Sequence, residues 1–303
     1  MKRTEGSFLS SDQQHNSKYT LFLPEDNPIA LIQICHDQGE HIGYYEALAR
    51  DLTQKGIIVC GCDQLGHGRS LNEGEVPGCI GEGNALDALI EDQKLFYDLM
   101  RKKYRYLPYL LLGQGMGADV LCRWMALYKE TADGIILSSP DHVVLSPFMG
   151  KLTFALGCMG NKKNRPAPAL EKKLYGYRKA VYALESGAVE EDALPGGYSL
   201  TADGYRQVFE AHLLISDPQW SASVEQGLPV MILVGEKNDE GARALNDRLL
   251  DAELCMQSMR IIEGTFGCAL FNGPKKEEAF EEVENFVSQV VEGVREARMG
   301  GFY

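Results

Sequence analysis

Gly113-Gln114-Gly115-Met116-Gly117 follows the apolar run 110–112 and precedes a segment of helical period that begins near Ala118. A strand, a tight glycine-rich turn and a helix are the setting of two unrelated chemistries. One is the nucleophile elbow, G-x-S-x-G, whose sharp turn exposes an attacking side chain at the top of a sheet. The other is the dinucleotide fingerprint, G-x-G-x-x-G/A, whose backbone approaches a pyrophosphate; here it reads Gly113-x-Gly115-x-x-Ala118. The elbow reading meets Gly115 at its middle position, where there is no side chain to attack with. The dinucleotide reading wants an acid at the end of the next strand, about 20 residues on. Asp133 has the distance but precedes the apolar run 134–139, and Asp141 follows that run behind Pro140.

The rest of the chain must supply the elements that position this turn. Its 303 residues are 45% hydrophobic and 24% charged, an ordinary globular composition long enough to bury a sizeable core. Short runs rich in Val, Ile, Leu and Tyr lie at 18–23, 29–35, 57–62, 108–112, 134–139, 229–234 and 258–262. Several are apolar without alternation, which is the mark of a strand buried on both faces. Helical periods fill 44–54, 84–104, the segment from 118, 242–252 and 277–291. The last of these stacks Phe280, Val283, Phe286, Val287 and Val290 on one stripe. Strand–helix alternation predicts an α/β fold with a mainly parallel, doubly wound sheet. The alternation breaks over 141–225, too long for a crossover, and resumes at Pro229. Core strands flank the break, so 1–140 and 226–303 read as one core and 141–225 as a cap inserted into it.

The flanks of the glycine turn carry a resemblance. Ile34-Cys35-His36-Asp37-Gln38-Gly39-Glu40-His41 is similar to a VHG-x-x-EH loop after a third strand, and Cys62-Asp63-Gln64-Leu65-Gly66-His67-Gly68-Arg69-Ser70 to D-x-x-G-H-G-x-S. Both are motifs of the monoacylglycerol lipase/lysophospholipase-like, or serine aminopeptidase-like, branch of the α/β-hydrolases. Leu137-Ser138-Ser139-Pro140, the run 228–237 and Leu270-Phe271-Asn272 continue the resemblance outside the 141–225 insertion. It implies an α/β-hydrolase fold with a helical cap, and a cleft between Gly115, His36 and the cap for an apolar or acyl-type small molecule. Carried over residue by residue, the nucleophilic serine falls on Gly115 and the acid on Asn238, with Asp239 one position later as a displaced candidate. The histidine, four residues before the Asn of H-E-x-L-N, falls on Cys268, and the oxyanion glycine on Asp37. His36, Asp37, Gln38, Gln114 and Met116 are then the oxyanion and cleft residues.

A triad needs a nucleophile, a base and a group that orients the base, and all three positions are replaced. No histidine lies downstream of His212, so slipping the alignment cannot recover the base. An anionic Asp37 beside an oxyanion site would also oppose developing negative charge. The expected protein is a pseudoenzyme, a degenerate hydrolase that keeps its ligand cleft. Two alternatives stay open: an active ester or lipid hydrolase using displaced groups such as Asp239, and a nucleotide-binding protein using Gly113-x-Gly115-x-x-Ala118.

Composition limits the partners. Thirty Lys and Arg stand against 43 Asp and Glu, a formal net charge of −13 that repels phosphate backbones and argues against nucleic acid. No apolar leader follows Met1-Lys2-Arg3, and no run reaches the roughly 18 apolar residues of a membrane span, so a cytoplasmic protein without a transmembrane segment is expected. The eight cysteines are scattered and read as reduced, mostly buried thiols. Cys35, His36, His41, Cys62 and His67 match no common zinc spacing, and Cys60-x-Cys62 on a strand points both thiols to one face, so no metal or other cofactor is expected. Cys268 could be a thiol nucleophile activated by His36 or His41; between Phe266 and Leu270, a packed thiol is the plainer reading. The apolar stretch 143–159 reads as a cap helix packed on the body, or, by the resemblance, as an acyl-pocket lining or membrane contact. The basic run 162–173 reads as a solvated face. Nothing in the sequence specifies an oligomeric state.

Overall fold

Continuous burial along the central strands, with side chains alternating between the two faces, accounts for their place in the sheet. The computed structural model describes residues 1–81, 85–141, 143–159, 162–176, 197–237, 239–254 and 256–300. In β3 (Ala30–Cys35), counted after β1 (Lys2–Leu9) and β2 (Asn16–Leu23), residues Ala30, Ile32 and Ile34 face one side and Leu31 and Cys35 the other. All five are buried. Beyond β4 (Ile57–Cys62), β5 (Tyr109–Gln114) divides in the same way, with Leu110 and Leu112 opposite Tyr109 and Leu111. Strands apolar on both faces belong in the middle of a sheet covered on both sides.

Three more strands, β6 (Gly134–Ser138), β7 (Val230–Lys237) and β8 (Gln257–Phe266), complete the order β1-β2-β4-β3-β5-β6-β7-β8. β1 with β2 and β2 with β4 are antiparallel; every pairing from β4 to β8 is parallel. On one face lie α1 (Glu46–Gln54) and, at the end of the chain, the long helix Lys276–Gly300. That helix buries Phe280, Val283, Phe286, Val287 and Val290, each contributing at most about 1.5–3 kcal/mol. On the other face lie α2 (Ala85–Lys103), α3 (Met116–Leu127) and the helix Glu240–Asp251. This is the doubly wound α/β-hydrolase architecture that the sequence predicts.

Between β6 and β7 come α4 (Pro147–Gly157), α5 (Pro168–Tyr175), α6 (Ala202–Ile215) and α7 (Pro218–Ala222), so the later helices are α8 (Glu240–Asp251) and α9 (Lys276–Gly300). The packing expected of 143–159 holds along one narrow edge only. Gly150 and Phe154 of α4 are buried, with the Phe154 ring 5.3 Å from that of Phe209 on α6. Phe148 is 74% exposed and Leu156 62%, because α4 has apolar residues on every side and buries only its Gly150 and Phe154 edge. In the basic run, Lys162, Lys172 and Lys173 are exposed while Glu171 is fully buried.

Two elements differ from the sequence expectation. β1 was not expected, because Lys2, Arg3 and Glu5 obscure its alternation; as an edge strand it is held by its register with β2, from Lys2 opposite Leu23 to Leu9 opposite Asn16. α9 continues to Gly300 rather than stopping at 291, its last turns polar and exposed. Among the described residues no helix is long and apolar enough to cross a membrane.

Candidate active site

β5 ends at Gln114 and α3 begins at Met116, which leaves Gly115 alone to reverse the chain. It does so at φ 52° and ψ −114°, a conformation that strains any residue with a Cβ. Its N–H donates to the Ser138 carbonyl at 2.9 Å and its own carbonyl accepts from Ala118 at 2.9 Å. Gly117 has a packing role: a Cβ there would overlap the Cys35 carbonyl, so glycine lets α3 lie against the end of β3. The turn therefore sits at the C-terminal ends of the central strands, where open α/β sheets bind their ligands.

The space above Gly115 belongs to Asp37. A Cβ at Gly115 would overlap Cγ and both carboxylate oxygens of Asp37. Asp37 Oδ1 accepts from the backbone N–H of Met116 at 2.8 Å and of Gln38 at 2.7 Å. An N–H from the residue after the elbow and one from the loop after β3 are the pair that forms the oxyanion hole of an elbow hydrolase. The N-terminal end of α3 adds its dipole, so a carboxylate is well held there. The surrounding turn is itself fixed. Asp37 N–H donates to Glu40 Oε2 at 3.1 Å, and the Tyr45 hydroxyl donates to the same oxygen at 2.7 Å.

The buried histidines hold loops. His36 Nδ1 donates to the Asp37 carbonyl at 2.7 Å, and its Nε2 accepts from the Gln64 N–H at 2.9 Å, a tautomer assigned from these partners. Burial pushes its pKa down to about 4. His67 Nδ1 donates to the Leu65 carbonyl at 2.9 Å; burial, with the His36 ring 5.2 Å away, pushes its pKa down to about 3. Both are neutral imidazoles at pH 7. His41 Nδ1 accepts from Gly43 N–H at 3.1 Å and caps the short helix that follows. Cys35, Cys60 and Cys62 are buried thiols whose pKa burial pushes up. Among the described residues, no group of three or more His, Cys, Asp or Glu could hold a metal ion.

The remaining site residues divide between the elbow and other places. Gln114 Nε2 donates to the Gly267 carbonyl at 2.9 Å, which brings the 3-10 turn Gly267–Ala269 and its half-buried Cys268 beside the elbow. Asp239 instead stands at the N-terminus of α8, where its Oδ2 accepts from Arg243 Nε at 2.7 Å. Asn238 and Cys255 lie outside the described residues.

Sequence reasoning missed two features. Ser139, next to Gly267, has φ 46°, a strained value for a residue with a side chain. Glu171 of α5 is fully buried: Gln38 Nε2 donates to its Oε1 at 3.1 Å and Ser199 Oγ to its Oε2 at 2.7 Å. Gln38 Nε2 also donates to the Tyr205 hydroxyl at 3.3 Å, so the residue after Asp37 ties the elbow loop to α5 and α6. A single buried acid within a basic run leaves no periodic signal to find it by.

Residues 26–254 match the family described as serine aminopeptidase, S33 (Hydrolase_4). The monoacylglycerol lipase of Mycolicibacterium smegmatis is 23% identical over 278 residues, 89% of this chain and 91% of that protein. The human monoglyceride lipase is 35% identical over 117 residues, 39% of this chain and 37% of that one. Among solved structures, a thermostable carboxyl esterase from Bacillus coagulans in complex with glycerol has a TM-score of 0.82 at 18% identity, covering 96% of this chain and 99% of its own. A soluble variant of monoglyceride lipase from Saccharomyces cerevisiae in complex with a substrate analogue has a TM-score of 0.72 at 15% identity, covering 96% and 95%. At these identities the structural likeness is one of fold.

Proposed function

Because the chain belongs to the serine aminopeptidase S33 family, we propose that it is a catalytically degenerate hydrolase, binding an apolar or acyl-type ligand under its cap without cleaving it. The observation that carries this reading is the Asp37 carboxylate. It fills the volume of a nucleophile's side chain and takes both N–H groups that would otherwise stabilise an oxyanion. In a template hydrolase stripped of its triad, roughly 10³–10⁴ of rate enhancement survives through the oxyanion hole and binding. Here the hole is occupied from within, so that remainder has no site either. The names of the lipase relatives support an acyl-type ligand.

The alternatives are weaker. A hydrolase using displaced groups would need Asp37 to vacate the elbow and Asp239 to leave Arg243. A dinucleotide would place its pyrophosphate at the N-terminus of α3, where Asp37 already sits. The test is calorimetric titration with 1-decanoylglycerol, with the same mixture assayed for released decanoate. Binding with no decanoate above the protein-free control is the expected result. Enzyme-dependent release contradicts the degenerate reading, and absence of binding contradicts the retained acyl site.

A further inference from the structure

Away from the elbow, at the β1–β2 edge of the sheet, a groove of about 570 Å³ opens between the hairpin and the C-terminal end of α2. That volume suits a small-molecule site. Its floor is apolar, with Leu21 and Leu23 from β2 and Leu99 from α2; its cations are Lys2, Lys102 and Lys103. Leu99 is 39% exposed.

The charge of the groove runs against that of the molecule. In a chain of net charge −13, three lysines line this groove and none is ion-paired among the described residues. The groove's acid, Glu5, is paired with Arg3 at 2.9 Å and Arg69 at 2.8 Å. Nearby Arg101 is paired with Asp133 at 3.2 Å and Lys94 with Asp98 at 2.6 Å. A helix C-terminus favours cations in its last turn, which explains Lys102 and Lys103 on α2 but not Lys2, which comes from β1.

We propose that this groove binds a single-chain amphiphilic carboxylate. Its alkyl chain lies on Leu23 and Leu99, over the buried Leu21, and its head group is held by Lys2, Lys102 and Lys103. The floor supplies apolar area to cover the chain, and the lysines supply positive charge for the head, that of Lys103 also lying 5.2 Å from the Tyr104 ring. The proposal is independent of the elbow, where Asp37 already takes the anion-binding N–H groups.

The test is calorimetric titration of dodecanoate, below its micellar concentration, into the full chain. Saturable binding with a component that weakens with added salt, as a charge-held head group should, is expected beside any salt-insensitive acyl binding under the cap. Affinity should fall by at least about tenfold in K2E/K102E/K103E and in the separate Leu99→Asp variant, and should persist in K102R/K103R. Dodecanol should bind at least about tenfold more weakly than dodecanoate, and acetate not detectably. Thermal melting checks that each variant is folded. Failure to saturate overturns the proposal, as does equal affinity for dodecanol. Binding untouched by both the lysine and the leucine substitutions also overturns it, because dodecanoate then sits elsewhere.

Discussion

Asp37 and Gly115 are complementary: the carboxylate of one fits only because the other has no side chain. Gly115→Ala should cost about 1–3 kcal/mol, since its Cβ meets the Asp37 carboxylate and φ is 52°. Asp37→Gly removes the overlap as well as two hydrogen bonds, so the double variant should be less destabilised than the sum of the singles. Urea denaturation of the cycle should give a coupling of about 0.5–3 kcal/mol, and additivity within about 0.3 kcal/mol would place Asp37 elsewhere. The buried histidines give a second prediction at this scale. The folded pKa values of His36 and His67, near 4 and 3, lie below the unfolded value of 6.5, so the unfolded chain binds more protons between them. Stability is therefore lost as pH falls from 6.5 towards those values, with a slope of up to about 1.4 kcal/mol per pH unit for each histidine. Nitrogen-detected NMR should find both rings as the Nδ1–H tautomer down to about pH 5; titration of either near its ordinary value of about 6.5 contradicts the assigned environments. The sequence places the elbow turn at Gly115 because motifs count residues. The position of the Asp37 carboxylate could not be read there, because a motif places the loop but leaves open the direction in which the side chain turns.

Among the elements, legibility follows burial. β3 and β5 announce themselves because both faces are apolar, and the stripe of α9 can be read up to the point where its packing ends. β1 is nearly silent, since an edge strand needs only backbone pairing and its charged residues hide the alternation. The segment between β6 and β7 is harder still. α4 is apolar all round, so the sequence offers no face to choose, and the fold buries Gly150 and Phe154 against α6. The contrast between its two sides can be measured. Phe154→Ala should cost about 3–5 kcal/mol, as in a core, whereas Phe148→Ser, at 74% exposure, should stay within about 0.5 kcal/mol. Equal losses in thermal or urea unfolding would mean that both phenylalanines are packed.

At the scale of the whole molecule, the hydrolase frame is intact, and the proposed loss of its chemistry rests on what fills the elbow. The sheet order, the elbow at β5 and the loop after β3 carry an oxyanion pair into position, and the chain then caps that pair with its own carboxylate. The loop after β3 is tied through Gln38 to the buried Glu171 of α5 and to Tyr205 of α6, so these elements form one connected unit. A fluorophosphonate probe interrogates this arrangement directly, because it requires an activated serine and an open oxyanion hole. Intact-mass spectrometry of the wild-type chain after exposure to the probe should find unmodified protein. A stoichiometric adduct on any serine of this chain would contradict a degenerate site.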